Sequence, residues 1–228
     1  MPVAIITGAS RGLGLALARS LARDGWTLVV DARGASDLER AAGELSALTD
    51  VAAVAGDVSD PSHRGVLLAA AGEKIDLLVN NASVLGPSPQ PTLERYPLDE
   101  FERVYRVNVL APLALAQLAI PRLPAGGTII NLTSDAAVEP YEGWGGYGSA
   151  KAALEQLSAI LAAEHPELRV YAVDPGDMRT QMHQEAFPGE DISDRAPPED
   201  SVPGLRRLID GSLPSGRYRA RAMSEVGA

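Results

Sequence analysis

The sequence predicts an α/β protein built on one doubly wound parallel sheet with helices on both faces. Short apolar runs alternate with longer helical patterns along the 228 residues, as crossover connections between parallel strands require. Glycines 8, 12 and 14 follow the first apolar run directly and open the first helical segment. No internal repeat and no inter-domain linker interrupts this alternation, so one domain spanning 1–228 is expected.

Val3 to Thr7 reads as a buried strand, Gly8 to Gly14 as a turn and Leu15 to Asp24 as an Ala/Leu-rich helix. Thr27 to Ala32 is the next strand, followed by a helix from Ser36 to Leu48. Val51 to Gly56 reads as a third strand, Pro61 to Ala71 as a helix and Ile75 to Asn80 as a fourth strand. The proline-rich stretch Pro87 to Pro97 is expected to be loop, and Phe101 to Leu123 a long helix distorted near Pro112. Thr128 to Leu132 is a strand, Tyr147 to Glu164 a helix and Arg169 to Val173 a strand. After Thr180 the chain turns polar and proline-rich through Pro198, the composition of a loop or mobile lid. Pro203 to Asp210 can be helical, and Arg217 to Ala220 can form a last short strand.

Composition narrows the function classes. Hydrophobic residues at 46% and charged residues at 22% are ordinary for a globular protein. Zero cysteines exclude disulfides, thiolate metal sites and a cysteine nucleophile. A formal net charge of -10 opposes broad binding to nucleic acid or to acidic membrane surfaces. No charged segment with a following apolar run opens the chain, and no apolar stretch reaches the length of a membrane span. The expectation is a cytoplasmic protein. His63, His165 and His183 lack metal-ligand spacing and read as surface residues.

The glycine turn has the chemistry of a phosphate cradle. Glycine permits a tight turn and close backbone approach, and a helix N-terminus presents free N–H groups to an anion. Cofactor choice is expected at the end of the second strand, where Val30-Asp31-Ala32-Arg33 stands. Strand alternation places Asp31 opposite to Ala32, the ribose-facing position, while Arg33 and Arg11 converge on the same end. Two arginines favour a 2′-phosphate, and so NADP(H) over NAD(H). Asp57 and Val58, at the third strand end, can contact adenine.

Tyr147 and Lys151 lie four residues apart and share one helix face. An ammonium beside a phenol favours the phenolate, so such a tyrosine can exchange a proton with a substrate oxygen. The only lysines are Lys74 and Lys151, with arginine used at every other basic position, which suits a role needing a compact ammonium.

Taken in order, these pieces resemble the classical short-chain dehydrogenase/reductase family over Val3 to Thr180. Thr7-Gly8-Ala9-Ser10-Arg11-Gly12-Leu13-Gly14 resembles its nucleotide turn, and Asn80-Asn81-Ala82-Ser83 its N-N-A-G motif with serine for the last glycine. Asn108 sits in a similar active-site asparagine segment, and Ser134 precedes Tyr147 by the family's thirteen residues. Pro175-Gly176-Asp177-Met178-Arg179-Thr180 resembles the segment that holds the nicotinamide carboxamide. The resemblance implies a Rossmann-type fold, with residues 1–135 mainly nucleotide-binding and 181–211 a substrate loop region. It implies a pro-S hydride transfer between nicotinamide and a carbonyl or alcohol carbon, with Tyr147 as proton donor or acceptor and Ser134 polarising the substrate oxygen. Lys151 would lower the tyrosine and hold the nicotinamide ribose, and Asn108 would hold a water leading to solvent. Gly8, Ser10, Arg11, Gly12, Leu13, Gly14, Arg33, Asp57, Val58, Asn80, Ala82, Tyr147, Lys151, Pro175, Gly176, Met178 and Thr180 would contact the cofactor.

The residues alone leave other readings for single positions. Ser134 can be a turn cap, Asn108 a polar residue bending its helix, and Asp57 a helix N-cap. Met178, Met182, Phe187 and Trp144 are candidate walls of an apolar pocket. The expected activity is an NADP(H)-dependent carbonyl reductase or alcohol dehydrogenase. The alternatives are an NAD(H)-linked dehydrogenase of the same fold and a non-catalytic nucleotide-binding regulator. The helices at 101–123 and 147–164 are apolar round much of their circumference, and with the resemblance they imply a homodimer or homotetramer.

Overall fold

A computed structural model describes residues 1–224. Seven parallel strands form one sheet: β1 (Val3–Ile6), β2 (Thr27–Ala32), β3 (Val51–Ala55), β4 (Leu77–Asn80), β5 (Thr128–Leu132), β6 (Arg169–Asp174) and β7 (Gly216–Arg219). Their order is β3-β2-β1-β4-β5-β6-β7, so the winding reverses between β1 and β4. The register Ile5↔Val29 and Ile5↔Leu78 holds β1 at the centre, bonded on both sides. An open α/β sheet of this order leaves a crevice where its winding reverses, beyond the strands' carboxyl ends.

Alternate residues of each strand face opposite layers. Ile6, Val30, Val79 and Val173 pack with α1 (Gly12–Arg23) and α8 (Val202–Asp210) on one side. Ile5, Val29, Leu78 and Ile129 pack with α3 (Pro61–Ala71) and α5 (Ala111–Ala119) on the other. In α1, Leu13, Leu17 and Leu21 recur every four residues and are buried. Full burial of one such leucine stabilises the fold by about 1.5–3 kcal/mol. The remaining helices are α2 (Ala35–Leu45), α4 (Leu98–Tyr105), α6 (Gly145–Glu164), α7 (Gln181–Ala186) and α9 (Ala220–Ser224).

Three expectations are corrected. The long helix starts at Leu98 rather than Phe101, and its distortion is a five-residue π turn, Arg106–Leu110, joining α4 to α5. Pro112 sits in the first turn of α5, directly after the π turn, where its missing N–H interrupts the helical bonding. The chain after Thr180 is not loop throughout: Thr180 Oγ1 accepts a hydrogen bond from His183 N and caps α7. Finally, the continuous stretch Leu98–Arg122 is long and apolar enough to cross a membrane by length and composition alone, with mean hydropathy 1.3. Half of its apolar 18-residue window is buried inside the fold, which is how a core helix meets the same test.

Candidate active site

The carboxyl ends of the strands enclose a cleft of ≈ 1000 Å³. At its head the glycine turn is fixed from several sides. Gly8 has φ +66° and lies so close to the chain after β4 that a Cβ would stand 2.9 Å from Ala82 Cα. A Cβ on Gly14 would stand 2.6 Å from Gly8 O, so Gly14 allows the helix to start tight against the turn rather than lining the cleft. The N-cap of α1, Arg11, supplies no side-chain acceptor, which leaves the helix's first N–H groups and positive dipole end to the cleft. Ser10, Gly12 and Leu13 border the cleft beside it.

Asn81 and Thr7, to which the sequence assigned no role of their own, hold this turn. Asn81 Nδ2 donates to Thr7 O at 2.8 Å and Gly8 O at 3.0 Å, while Thr7 Oγ1 accepts from Asn81 N and Ala82 N. Asn80, expected at the cofactor, is not among the residues that line the cleft. Its side chain is buried and donates to Asn131 Oδ1 at 2.8 Å. Two adjacent asparagines gave no local sign of which faces inward. His63 is likewise not a surface residue: it is 7% exposed and pairs with Asp31.

The adenosine end carries Ala32, Arg33, Asp57 and Val58. The side chains of Arg11 and Arg33 are exposed and make no hydrogen bond or ion pair among the described residues. Asp57 Oδ1 accepts from Ser59 N at 2.8 Å. Burial alone would raise its carboxyl, but the Ser59 hydrogen bonds and the charges of Arg33 and His63 hold it below the usual value. The cap of α3 is Asp60 rather than Asp57, its side chain accepting from Ser62 N.

Tyr147 and Lys151 stand on α6 at the other end of the cleft, 8% and 3% exposed. Lys151 Nζ donates to Leu132 O at 2.8 Å and lies 5.4 Å from the centre of the Tyr147 ring. The expectation that the ammonium lowers the phenol is corrected. Burial raises Tyr147 well above its usual value, with Asp135 and Asp174 adding to the effect and the neighbouring Ser83 hydroxyl opposing it. Burial also lowers Lys151 to about 7, because water no longer solvates the ammonium. Ser83, the departure from N-N-A-G, joins the phenol to Asn108 by donating to Asn108 Oδ1 at 3.1 Å.

Asn108 lies in the π turn, 0% exposed, and clamps the chain after β4: Nδ2 donates to Val84 O and Oδ1 accepts from Val84 N. Ser134 Oγ donates to Asp135 Oδ1 at 2.8 Å and accepts from Ala136 N, the turn-cap arrangement. Neither side chain borders the cleft.

On the far wall, Pro175, Met178 and Thr180 border the cleft, and Thr180 Cγ2 would lie 3.7 Å from a Cβ on Gly12. Gly176, set back from the cleft, has φ +74° and turns the chain out of β6. Met182 packs near Tyr147, whose ring meets Trp144 edge-on at 5.8 Å. Trp144 contacts Phe187 at 5.9 Å, so these aromatics support the wall from behind. Among the described residues no group of three or more potential ligands could hold a metal ion.

A dinucleotide fits this donor set: a glycine cradle that a Cβ would fill, an uncapped helix N-terminus, free arginines at one end and a buried Tyr–Lys pair at the other. Known proteins point the same way. The family model for short chain dehydrogenase matches residues 2–191. Sepiapterin reductase from Meriones unguiculatus is 35% identical over 199 residues, covering 80% of this chain and 76% of its own. An alcohol dehydrogenase from Thermococcus sibiricus, solved with 5-hydroxy-NADP, superposes with TM-score 0.86 at 30% identity over 96% of this chain and 95% of its own. A Shigella flexneri short chain dehydrogenase, solved with NADP, gives TM-score 0.88 at 26% identity over 96% and 97%.

Proposed function

The chain belongs to the short-chain dehydrogenase family and is an oxidoreductase, and we propose that it is an NADP(H)-dependent carbonyl reductase or alcohol dehydrogenase. The observation that carries this reading is a single cleft with a phosphate cradle and unpaired arginines at one end and Tyr147 with Lys151 at the other. Bound nicotinamide cofactor supplies or accepts the hydride. Arg33 and Arg11 take the 2′-phosphate, while the turn from Gly8 to Leu13 and the start of α1 take the diphosphate. Asp31 is unavailable to the ribose, because both its carboxylate oxygens are engaged within the protein.

Tyr147 holds a proton on its phenol oxygen and gives it to the alkoxide that forms when a carbonyl is reduced. The rise that burial imposes on Tyr147 keeps it protonated at neutral pH, which suits reduction. Lys151 offers its remaining ammonium hydrogens to the nicotinamide ribose, and Ser134 turns from Asp135 to the substrate oxygen. Asn108 fixes the loop that carries Ser83 beside the phenol. Met178, Met182 and Leu85 border an apolar place for substrate. A homo-oligomer and a cytoplasmic location complete the proposal.

A panel of aldehydes, ketones and diketones with NADPH and NADH, followed by nicotinamide absorbance, tests it together with Tyr147→Phe. The variant should bind NADPH normally and lose turnover roughly a hundredfold or more, the contribution of a general acid. Near-wild-type turnover would refute the assignment.

A further inference from the structure

Beneath the glycine turn lies a buried pair to which the proposed reaction gives no part. Asp31, 1% exposed, accepts Gly8 N–H on Oδ1 at 2.7 Å, and its Oδ2 lies 3.0 Å from His63 Nε2. A carboxylate only accepts hydrogen bonds, so His63 carries the hydrogen on Nε2. The imidazole arrives from α3, passing the end of β3. Gly56 makes room for it, since a Cβ there would stand 2.3 Å from His63 Nδ1. The other buried residues of α3 are Leu67, Leu68 and Ala71, so His63 occupies a position the core would fill with an apolar side chain. Positions 31, 56 and 63 therefore fit together around one hydrogen bond.

Asp31 also borders the adenosine end of the cleft with Ala32 and Arg33. A carboxylate free to turn outward there would accept from a ribose 2′-hydroxyl and repel a 2′-phosphate. We propose that His63 is a specificity-determining positioning residue: by engaging Oδ2 it keeps the Asp31 carboxylate turned into the protein and leaves the cofactor's 2′ position to Arg33. The proposal rests on the cleft being an NADP(H) site, and it assigns the choice of cofactor to a side chain that touches no cofactor.

The test measures dissociation constants of NADPH and NADH by calorimetry, without substrate, alongside thermal melts. Wild type should bind NADPH more tightly; failure of that comparison would sink the cofactor reading itself. His63→Phe keeps a ring against Gly56 but frees Oδ2, and should cut the preference for NADPH by about tenfold or more. His63→Gln, whose amide can still donate, should keep the preference within about threefold of wild type. Adding Asp31→Asn to His63→Phe removes the carboxylate and should restore the preference. An equal loss of both cofactors in His63→Phe would show that His63 only supports the turn, and would overturn the proposal. Should His63→Phe fail to fold, Asp31→Asn alone decides, because a sequestered carboxylate predicts an unchanged preference. A rise of about tenfold would show that Asp31 already reaches the cofactor.

Discussion

Lys151 shows how a site residue costs stability. Burial lowers its ammonium from 10.5 to about 7. Between those values the unfolded chain binds the proton that the folded protein lacks, so stability rises with pH across about 7–10.5. Below that window the penalty is complete. Lys151→Met should therefore raise the melting temperature at pH 7 and below, with the gap closing toward pH 10. At 1.36 kcal/mol per unit the gain is roughly 4–5 kcal/mol at most, reduced by the lost hydrogen bond to Leu132 O. Raised Tyr147 works the opposite way at higher pH, where ionising the phenol disfavours the fold. Equal pH slopes of stability in wild type and variant would contradict this account. At the other end of the cleft, Arg33→Ala removes a charge-assisted contact to a 2′-phosphate. NADPH affinity should fall roughly ten- to a hundredfold while NADH affinity changes little, as direct titration would show. Equal weakening would make Arg33 structural.

Elements position these residues through their ends. The glycine turn works because β1 stops at Ile6 and α1 starts at Gly12, with no side chain in the gap between Gly14 and Gly8 O. Gly14→Ala should force the turn open, costing about 1–3 kcal/mol of stability and weakening NADPH and NADH together. Gly43→Ala is the control: it lies within α2, and a Cβ there meets nothing within 4 Å. It should stabilise by about 0.5–1 kcal/mol through helix propensity, with cofactor binding unchanged. Thermal melts with cofactor titrations distinguish the two, and a silent Gly14→Ala would show that the turn tolerates a side chain. The π turn in the long helix serves the opposite need, placing Asn108 against the chain after β4. A helix interrupted in this way is often found at functional sites.

At the scale of the molecule, the outer surfaces of two helices remain apolar. Leu110 and Leu118, at the π turn and in α5, and Ile160 on α6 are 55%, 44% and 42% exposed. Burying such residues against a second copy would remove apolar area from water at about 25 cal/mol per Å². Light scattering at micromolar concentration should therefore report a dimer or tetramer. Leu110→Arg combined with Ile160→Arg should shift it toward monomer. A monomeric wild type would refute the assembly.

The sequence by itself determined the architecture and the order of the site's parts. A strand-to-helix turn of glycines, alternating buried runs and a Tyr147–Lys151 spacing are local patterns, and local patterns are read along the chain. It also signalled a break near Pro112, because proline cannot continue a helix's bonding. What it could not decide depends on contacts between distant residues. Which of Asn80 and Asn81 faces the cleft follows from Asn131 and Thr7, residues that are 51 and 74 positions away. His63 becomes an interior residue only because β2 brings Asp31 within 3.0 Å of it across 32 positions. Burial, which no spacing encodes, reversed the expected acidity of Tyr147. Desolvation dominates both groups when they are removed from water together, and only the packed sheet and α6 remove them.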